Sequence, residues 1–220
     1  MISVCLVEPE NSGNLGAVAR VMKNFGFSKL FLVNPRCSVL CDESKARAMH
    51  AYDVLEKAKV IDCIEKIRAD YLVATSAKTA AGTTLFRISV SPRGLSERID
   101  DSRHYCIVLG RESNGLSNDE IRKCDVLLCI PANKSYPTLN ISHALAVILY
   151  ELFQRKHDSS HVANRKQRQA VIMLARRALR DVPNAENFIE VLESVVNRSF
   201  VREKEAQALS GMFSKISKKK

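Results

Sequence analysis

Five short apolar runs, rich in β-branched and aromatic residues, punctuate the first 130 residues, and each stops at a proline, a glycine or a small polar residue. They are Ile2–Val7, Leu30–Val33, Tyr71–Ala74, Tyr105–Leu109 and Val126–Ile130. Their stops are Pro9 with Asn11 and Gly13, then Asn34-Pro35, Thr75-Ser76-Ala77, Gly110 and Pro131. Runs this short, apolar throughout, read as strands buried on both faces. Between them, Leu15–Phe25 has apolar residues at helical spacing with Gly26 as a stop. Segments around Asp42–Ala51 and Ile61–Ala69 read as helices, and Ile141–Phe153 reads as an amphipathic to fully apolar helix. Strands that alternate with helices predict an α/β fold on a parallel sheet. Ligands then gather at the carboxyl ends of the strands, where the glycines and polar stops fall.

The chain has 220 residues, 46% of them hydrophobic, enough for one good core and a small appendage. No apolar run approaches the roughly 18 residues of a membrane span, so no membrane partner is expected. The first residues read as a strand with no basic n-region and no cleavage site, unlike a signal peptide. Seven cysteines make an odd number, and the nearest pairs, Cys37/Cys41 and Cys124/Cys129, lack the C-x-x-C spacing of common zinc or redox sites. Several sit in apolar runs, where a thiol packs as a small hydrophobe. Free thiols, no metal and a reducing, cytoplasmic compartment are expected.

The net charge is +10, and +8 of it lies between Arg155 and Lys220. The sequence divides into residues 1–156, a polar, Ser-rich linker at 157–164, and a basic helical extension at 165–220. Helices are expected over Lys166–Leu179, Ala185–Val196 and Val201–Ile216, with Pro183 between the first two and an unstructured Lys218–Lys220 end. A basic stripe suits a polyanion, because each neutralised phosphate releases counterions. A solvated helical surface has the same composition.

Three segments have the composition of a site. Asn11-Ser12-Gly13-Asn14-Leu15-Gly16-Ala17-Val18-Ala19-Arg20 joins a strand to a helix; two glycines there permit close approach, and a helix start attracts anions. A helix cap with an exposed arginine reads the same way. Gly110-Arg111-Glu112-Ser113-Asn114-Gly115-Leu116 follows a strand and sets a carboxylate between glycines; alone, it is a turn. Ile130-Pro131-Ala132-Asn133 leads to Pro137-Thr138-Leu139-Asn140-Ile141-Ser142-His143-Ala144, where Asn140 or Ser142 also suits an N-cap. His143 enters an apolar helix and reads first as a packed core residue. A dinucleotide fold would need G-x-G-x-x-G and an acid after the second strand. Here the glycines are Gly13-x-x-Gly16, and the second strand ends at Asn34.

Taken together and in this order, the three segments resemble the SPOUT methyltransferase superfamily, in its 2′-O-ribose branch, the SpoU or TrmH-like proteins. Asn14, Gly16 and Arg20 match N-x-G-x-x-x-R; Gly110, Glu112 and Gly115 match G-x-E-x-x-G; Thr138, Leu139, Asn140 and Ser142 match [ST]-L-N-x-[SA]. Thr138 stands where many relatives carry serine, and a hydroxyl is kept. The opening E-P-E-N-S-G-N-L-G-A-V-A-R and the basic extension narrow the resemblance to the TrmJ subfamily. The resemblance implies a parallel α/β sheet with a C-terminal trefoil knot, a homodimer and S-adenosyl-L-methionine as cofactor. It implies transfer of a methyl group to a ribose 2′-hydroxyl of tRNA, at cytidine or uridine 32 of the anticodon loop. The alternatives are rRNA, another tRNA position, or a non-catalytic RNA-binding protein on the same fold. Carried over by position, the catalytic residues are Arg20, Asn14, Glu112, Thr138 and Asn140. The cofactor residues are Thr75, Ser76, Ala77, Gly110, Gly115, Leu116, Ile130, Pro137, Thr138 and Leu139. RNA contacts are assigned to Arg20, Arg165, Lys166, Arg168, Arg176 and Arg177. Ile148, Leu149 and Leu152 are apolar beyond one core's apparent needs and mark the expected dimer face.

Overall fold

The apolar runs pair into one parallel sheet, in a computed structural model that describes residues 1–77, 88–155 and 161–218. In chain order the strands are β1 (Ile2–Val7), β2 (Leu30–Val33), β3 (Lys59–Ile61), β4 (Tyr71–Thr75), β5 (Ser89–Val90), β6 (Tyr105–Leu109) and β7 (Val126–Leu128). Their order across the sheet is β3-β2-β1-β6-β4-β7-β5, with every pairing parallel. The order reverses between β1 and β6, where Leu6 lies opposite Leu109. A reversal of this kind opens a crevice beyond the carboxyl ends of the two strands.

The helices are α1 (Ser12–Asn24), α2 (Asp42–Ala48), α3 (Tyr52–Glu56), α4 (Pro92–Ser96), α5 (Asn118–Arg122), α6 (Ile141–Gln154), α7 (Arg165–Leu179), α8 (Ala185–Arg198) and α9 (Glu203–Lys218). Successive strand residues point to opposite faces. Val4, Leu6, Leu32, Val73 and Ile107 face Leu15, Val18 and Met22 of α1 and Leu145, Ile148 and Leu149 of α6. Cys5, Val7, Phe31, Leu72, Cys106 and Val108 face Ile64, Ile67 and Ala69. Burial on both faces explains why these strands are apolar without alternation.

Several expectations need correction. Ile61–Ala69 is not a helix: Ile61 ends β3, and only a 3-10 turn, Ile64–Lys66, follows. Helix α1 starts at Ser12, because the Asn11 side chain accepts from the Asn14 amide at 2.9 Å. Gly13 and Gly16 therefore lie within the helix. A Cβ on Gly16 would stand 2.3 Å from the Ser44 carbonyl, so this glycine admits α2, not an anion. His143 is exposed, not packed in the core. Ile148, Leu149 and Leu152 are fully buried within the chain's own core and cannot form a dimer face.

The basic extension packs helices α7, α8 and α9 around Val171, Ala175, Ile189, Val196, Ala206 and Phe213. It meets the sheet at the amino ends of β4 and β6. There Tyr71, Tyr105 and Phe200 stack, with Tyr71 and Tyr105 centroids 5.0 Å apart. Of the expected linker, residues 157–160 lie outside the described residues, and Val162 and Ala163 are buried. The Val162 amide donates to Asp100 at 2.8 Å, the Arg103 Nε donates to the Val162 carbonyl at 2.7 Å, and Arg103 also pairs with Glu203. This stretch is therefore a seam between two packed parts.

Arg168 is the centre of that seam and is only 2% exposed. Its guanidinium lies 3.6 Å from the Tyr71 ring centroid. It donates to Asp125 Oδ1 at 3.0 Å, to the Asp70 and Ala163 carbonyls, and to Asn197 Oδ1. Every arm of the fork is committed, so Arg168 is a structural tie and not an RNA ligand. Burial drives the Tyr71 phenol up to about 12, despite the opposing pull of Arg168.

Candidate active site

The site begins where β1 and β6 end. Glu8-Pro9-Glu10 leaves β1, and Arg111-Glu112-Ser113 leaves β6 beside it. The two loops are laced together. Arg111 pairs with Glu8 at 3.0 Å and with Glu120 at 3.0 Å. Glu10 accepts from the Ser113 amide and hydroxyl at 3.1 and 2.9 Å, while its own amide donates to Glu112 Oε2 at 2.9 Å. The hydrogen bond from Arg111 holds the Glu8 carboxyl below its usual range, and the two carboxylates hold the guanidinium above its own. Burial alone would raise Glu120, but Arg111 and the Ser117 amide outweigh it and lower the carboxyl.

Gly110 and Gly115 shape the second loop. Gly115 has φ +71°, a conformation that glycine adopts without strain. A Cβ on Gly110 would stand 2.1 Å from the Gly115 carbonyl carbon, so no other residue fits this turn. The capping box at the start of α5, from Ser117 to Glu120, then fixes where the loop re-enters regular structure.

The three sequence segments converge on one asparagine. Asn14 Nδ2 donates to Glu112 Oε1 at 3.1 Å, and Asn14 Oδ1 accepts from Asn140 Nδ2 at 3.2 Å. Asn140 Oδ1 in turn accepts from the Ser142 amide and hydroxyl at 2.9 and 2.8 Å, capping α6. Residues 98 and 126 positions from Asn14 thus share one hydrogen-bonded chain.

Beside this chain lies a cavity of about 680 Å³ at the carboxyl ends of β4, β6 and β7. Thr75, Ser76, Ala77, Gly110, Gly115, Leu116, Ile130, Pro137, Thr138 and Leu139 all line it. Its size falls in the range of small-molecule sites. Its lining joins the apolar residues Leu116, Ile130 and Leu139 to the hydroxyl residues Thr75, Ser76 and Thr138 and to Arg111 and Glu112. Among the described residues, no group of three or more His, Cys, Asp and Glu is placed to hold a metal ion. Among them, no helix is long and apolar enough to cross a membrane.

Arg20 stands apart. It is exposed on α1, does not line the cavity, and has no hydrogen-bond or ion-pair partner among the described residues. Lys166, Arg176 and Arg177 are exposed on α7, Arg165 is half-buried, and Arg176 pairs with Glu186 at 2.6 Å. Arg111, Glu8, Glu10 and Ser113 are site residues that the sequence motifs do not single out. Opposite charges at the ends of two apolar runs were the available signal, but only the pairing of β1 with β6 makes them neighbours.

Residues 1–150 match the SpoU rRNA Methylase family. The chain is 35% identical to a tRNA (cytidine-2′-O-)-methyltransferase TrmJ of Methanocaldococcus jannaschii, over 97% of this chain and 98% of that protein. It is 34% identical to a tRNA (cytidine/uridine-2′-O-)-methyltransferase TrmJ of Photorhabdus laumondii, over 91% of this chain and 81% of that one. Among solved structures, TrmJ from Z. mobilis aligns with a TM-score of 0.70 at 23% identity, over 98% of this chain and 99% of that chain.

Proposed function

The chain belongs to the SpoU methylase family, and from that premise we propose that it methylates a ribose 2′-hydroxyl of tRNA, at cytidine or uridine 32 of the anticodon loop. The observation that carries this reading is the Glu112–Asn14–Asn140 chain at the side of the cavity. The near full-length likeness to tRNA enzymes favours tRNA over rRNA.

The cavity would hold S-adenosyl-L-methionine through Thr75, Ser76 and Ala77, the Gly110–Leu116 loop, Ile130 and Pro137–Leu139. When bound, S-adenosyl-L-methionine supplies an electrophilic methyl carbon on a sulfonium. A ribose hydroxyl is a poor nucleophile near neutral pH, so the protein must hold it in line and ease loss of its proton. Both Glu112 oxygens already accept hydrogen bonds, one from Asn14 and one from the Glu10 amide. That suits Glu112 to bracing rather than to proton abstraction. Asn14 and Asn140 are held by each other, which fixes the ribose-facing edge beside Thr138. A guanidinium keeps its proton near neutrality, so Arg20 is no simple base. Its open fork suits a bidentate grip on RNA phosphate and stabilisation of alkoxide charge.

The partner is expected to be a second copy of the chain. Support comes from an exposed apolar stripe on α6, Val147, Tyr150 and Phe153, whose two rings meet Phe25, the residue that caps the end of α1. Phe153 is 62% exposed, a cost that burial against a twofold mate would remove.

Incubation with tRNA and methyl-labelled S-adenosyl-L-methionine should leave label in the RNA; RNA that stays unlabelled with folded, cofactor-binding protein contradicts the reading. A second expectation concerns the extension. Replacing Arg165, Lys166 and Arg177 by glutamine should make the dependence of log tRNA affinity on log salt shallower, by roughly 0.7 for each phosphate that is no longer neutralised. Cofactor affinity should not change. An unchanged slope returns these cations to the solvated surface.

A further inference from the structure

The loop from Pro131 to Tyr136 leads directly into the cavity wall, yet none of its residues lines the cavity. All six are exposed. Tyr136 is 81% exposed, the most exposed large apolar side chain among the described residues. The loop is nonetheless ordered by its own bonds. The Tyr136 amide donates to the Asn133 carbonyl at 3.0 Å, closing a turn. Asn133 Oδ1 accepts from the Ser135 amide at 3.0 Å and its hydroxyl at 2.8 Å. Lys134, inside the turn, has no acidic partner among the described residues.

An exposed ring on an ordered turn presents a flat apolar face that none of the described residues covers. Its Cα lies two residues from Thr138, a span of at most about 7 Å. Thr138 lines the cavity, and Asn140 two residues on belongs to the hydrogen-bonded chain. A nucleotide whose ribose reached that edge would have left its stack in the RNA, and its base would need a new partner. Single-stranded RNA is read in this way, with bases splayed out onto aromatic side chains and cations on the flanking phosphates.

We propose that Tyr136 is the stacking platform for the target base or its immediate neighbour, with Lys134 beside it for the adjoining phosphate. This inference rests on the RNA methylation reading and adds to it a residue that binds substrate from outside the three sequence segments. The ring accepts any flat base, cytosine and uracil alike, because stacking needs only a π-face.

Steady-state tRNA methylation should be measured for the wild type, Tyr136→Phe and Tyr136→Ala, with cofactor affinity by calorimetry and mass by light scattering for each. Tyr136→Ala should raise KM for tRNA about tenfold or more, within the range of one aromatic stack removed. Tyr136→Phe should stay within about twofold of the wild type, since it keeps the π-face. In both, kcat at saturating tRNA, cofactor affinity and mass should match the wild type. An unchanged KM in Tyr136→Ala overturns the inference. So does a parallel fall in cofactor affinity, which makes the ring part of the cavity wall, or a fall in mass, which makes it a contact between copies. If the wild type itself does not methylate tRNA, the underlying reading fails first and takes this one with it.

Discussion

Arg20→Ala should lower kcat for tRNA methylation by about 10²–10³, the usual loss for one donor that stabilises developing negative charge. Affinity for S-adenosyl-L-methionine should be unchanged, because Arg20 does not line the cavity. Folding should also be unaffected, since the side chain is exposed and makes no ion pair among the described residues. Arg20→Lys separates charge from shape. It keeps the positive charge and loses the planar fork, so a bidentate phosphate grip predicts only partial recovery. Single-turnover rates give the chemical step, and calorimetry gives the cofactor affinity. A variant that loses cofactor affinity in proportion to rate would place Arg20 in the cofactor site instead.

The second large effect is on stability and comes from the opposite end of the strands. Arg168→Ala should cost about 3–5 kcal/mol, because it breaks a buried pair and leaves Asp125 with an uncompensated charge. It also strips hydrogen bonds from the Asp70 and Ala163 carbonyls and Asn197, and uncovers the Tyr71 ring. For a chain of this size the melting temperature should fall on the order of 10 °C. Asp125 Oδ2 also accepts from the Leu72 amide at 2.8 Å, so the damage reaches the amino end of β4. Residual folded protein should still bind cofactor, since Thr75 and its neighbours lie a strand's length away. Denaturant unfolding of wild type and variant checks this. A variant of wild-type stability that binds tRNA more weakly would make Arg168 a phosphate ligand after all.

Arg168 also shows where a sequence stops being informative. In the run Arg165-Lys166-Gln167-Arg168 the three cations look alike. Only the packing of α7 against Tyr71 and Asp125 selects the third for burial, and both partners lie far away in the chain. Strands β1, β2, β4, β6 and β7 were legible because burial on both faces leaves continuous apolar runs. Strand β3 was not: Lys59 and Val60 are exposed at the sheet edge, where one pairing with β2 suffices. Ile61, Ile64 and Ile67 imitate helical spacing, but Ile61 ends β3, and Ile64, in a 3-10 turn, and Ile67, just after it, pack on the second face of the sheet. At the site, Asn14, Glu112 and Asn140 were legible as a set through their ordered resemblance to a family. The Arg111–Glu8–Glu120 brace was not, because charge complementarity across a hundred residues has no local pattern. Nor was the role of Gly16, whose missing side chain makes room for α2.

The most direct measurement is the position and chemistry of the transferred methyl group. Unmodified tRNA should be incubated with the protein and S-adenosyl-L-methionine carrying a deuterated methyl, digested to oligonucleotides and nucleosides, and read by mass spectrometry. The expected product is deuterated 2′-O-methylcytidine or 2′-O-methyluridine, confined to position 32 and formed about 10²–10³ more slowly with Arg20→Ala. A deuterated methyl on a nucleobase would contradict the proposed chemistry, as would ribose methylation at the wild-type rate in Arg20→Ala.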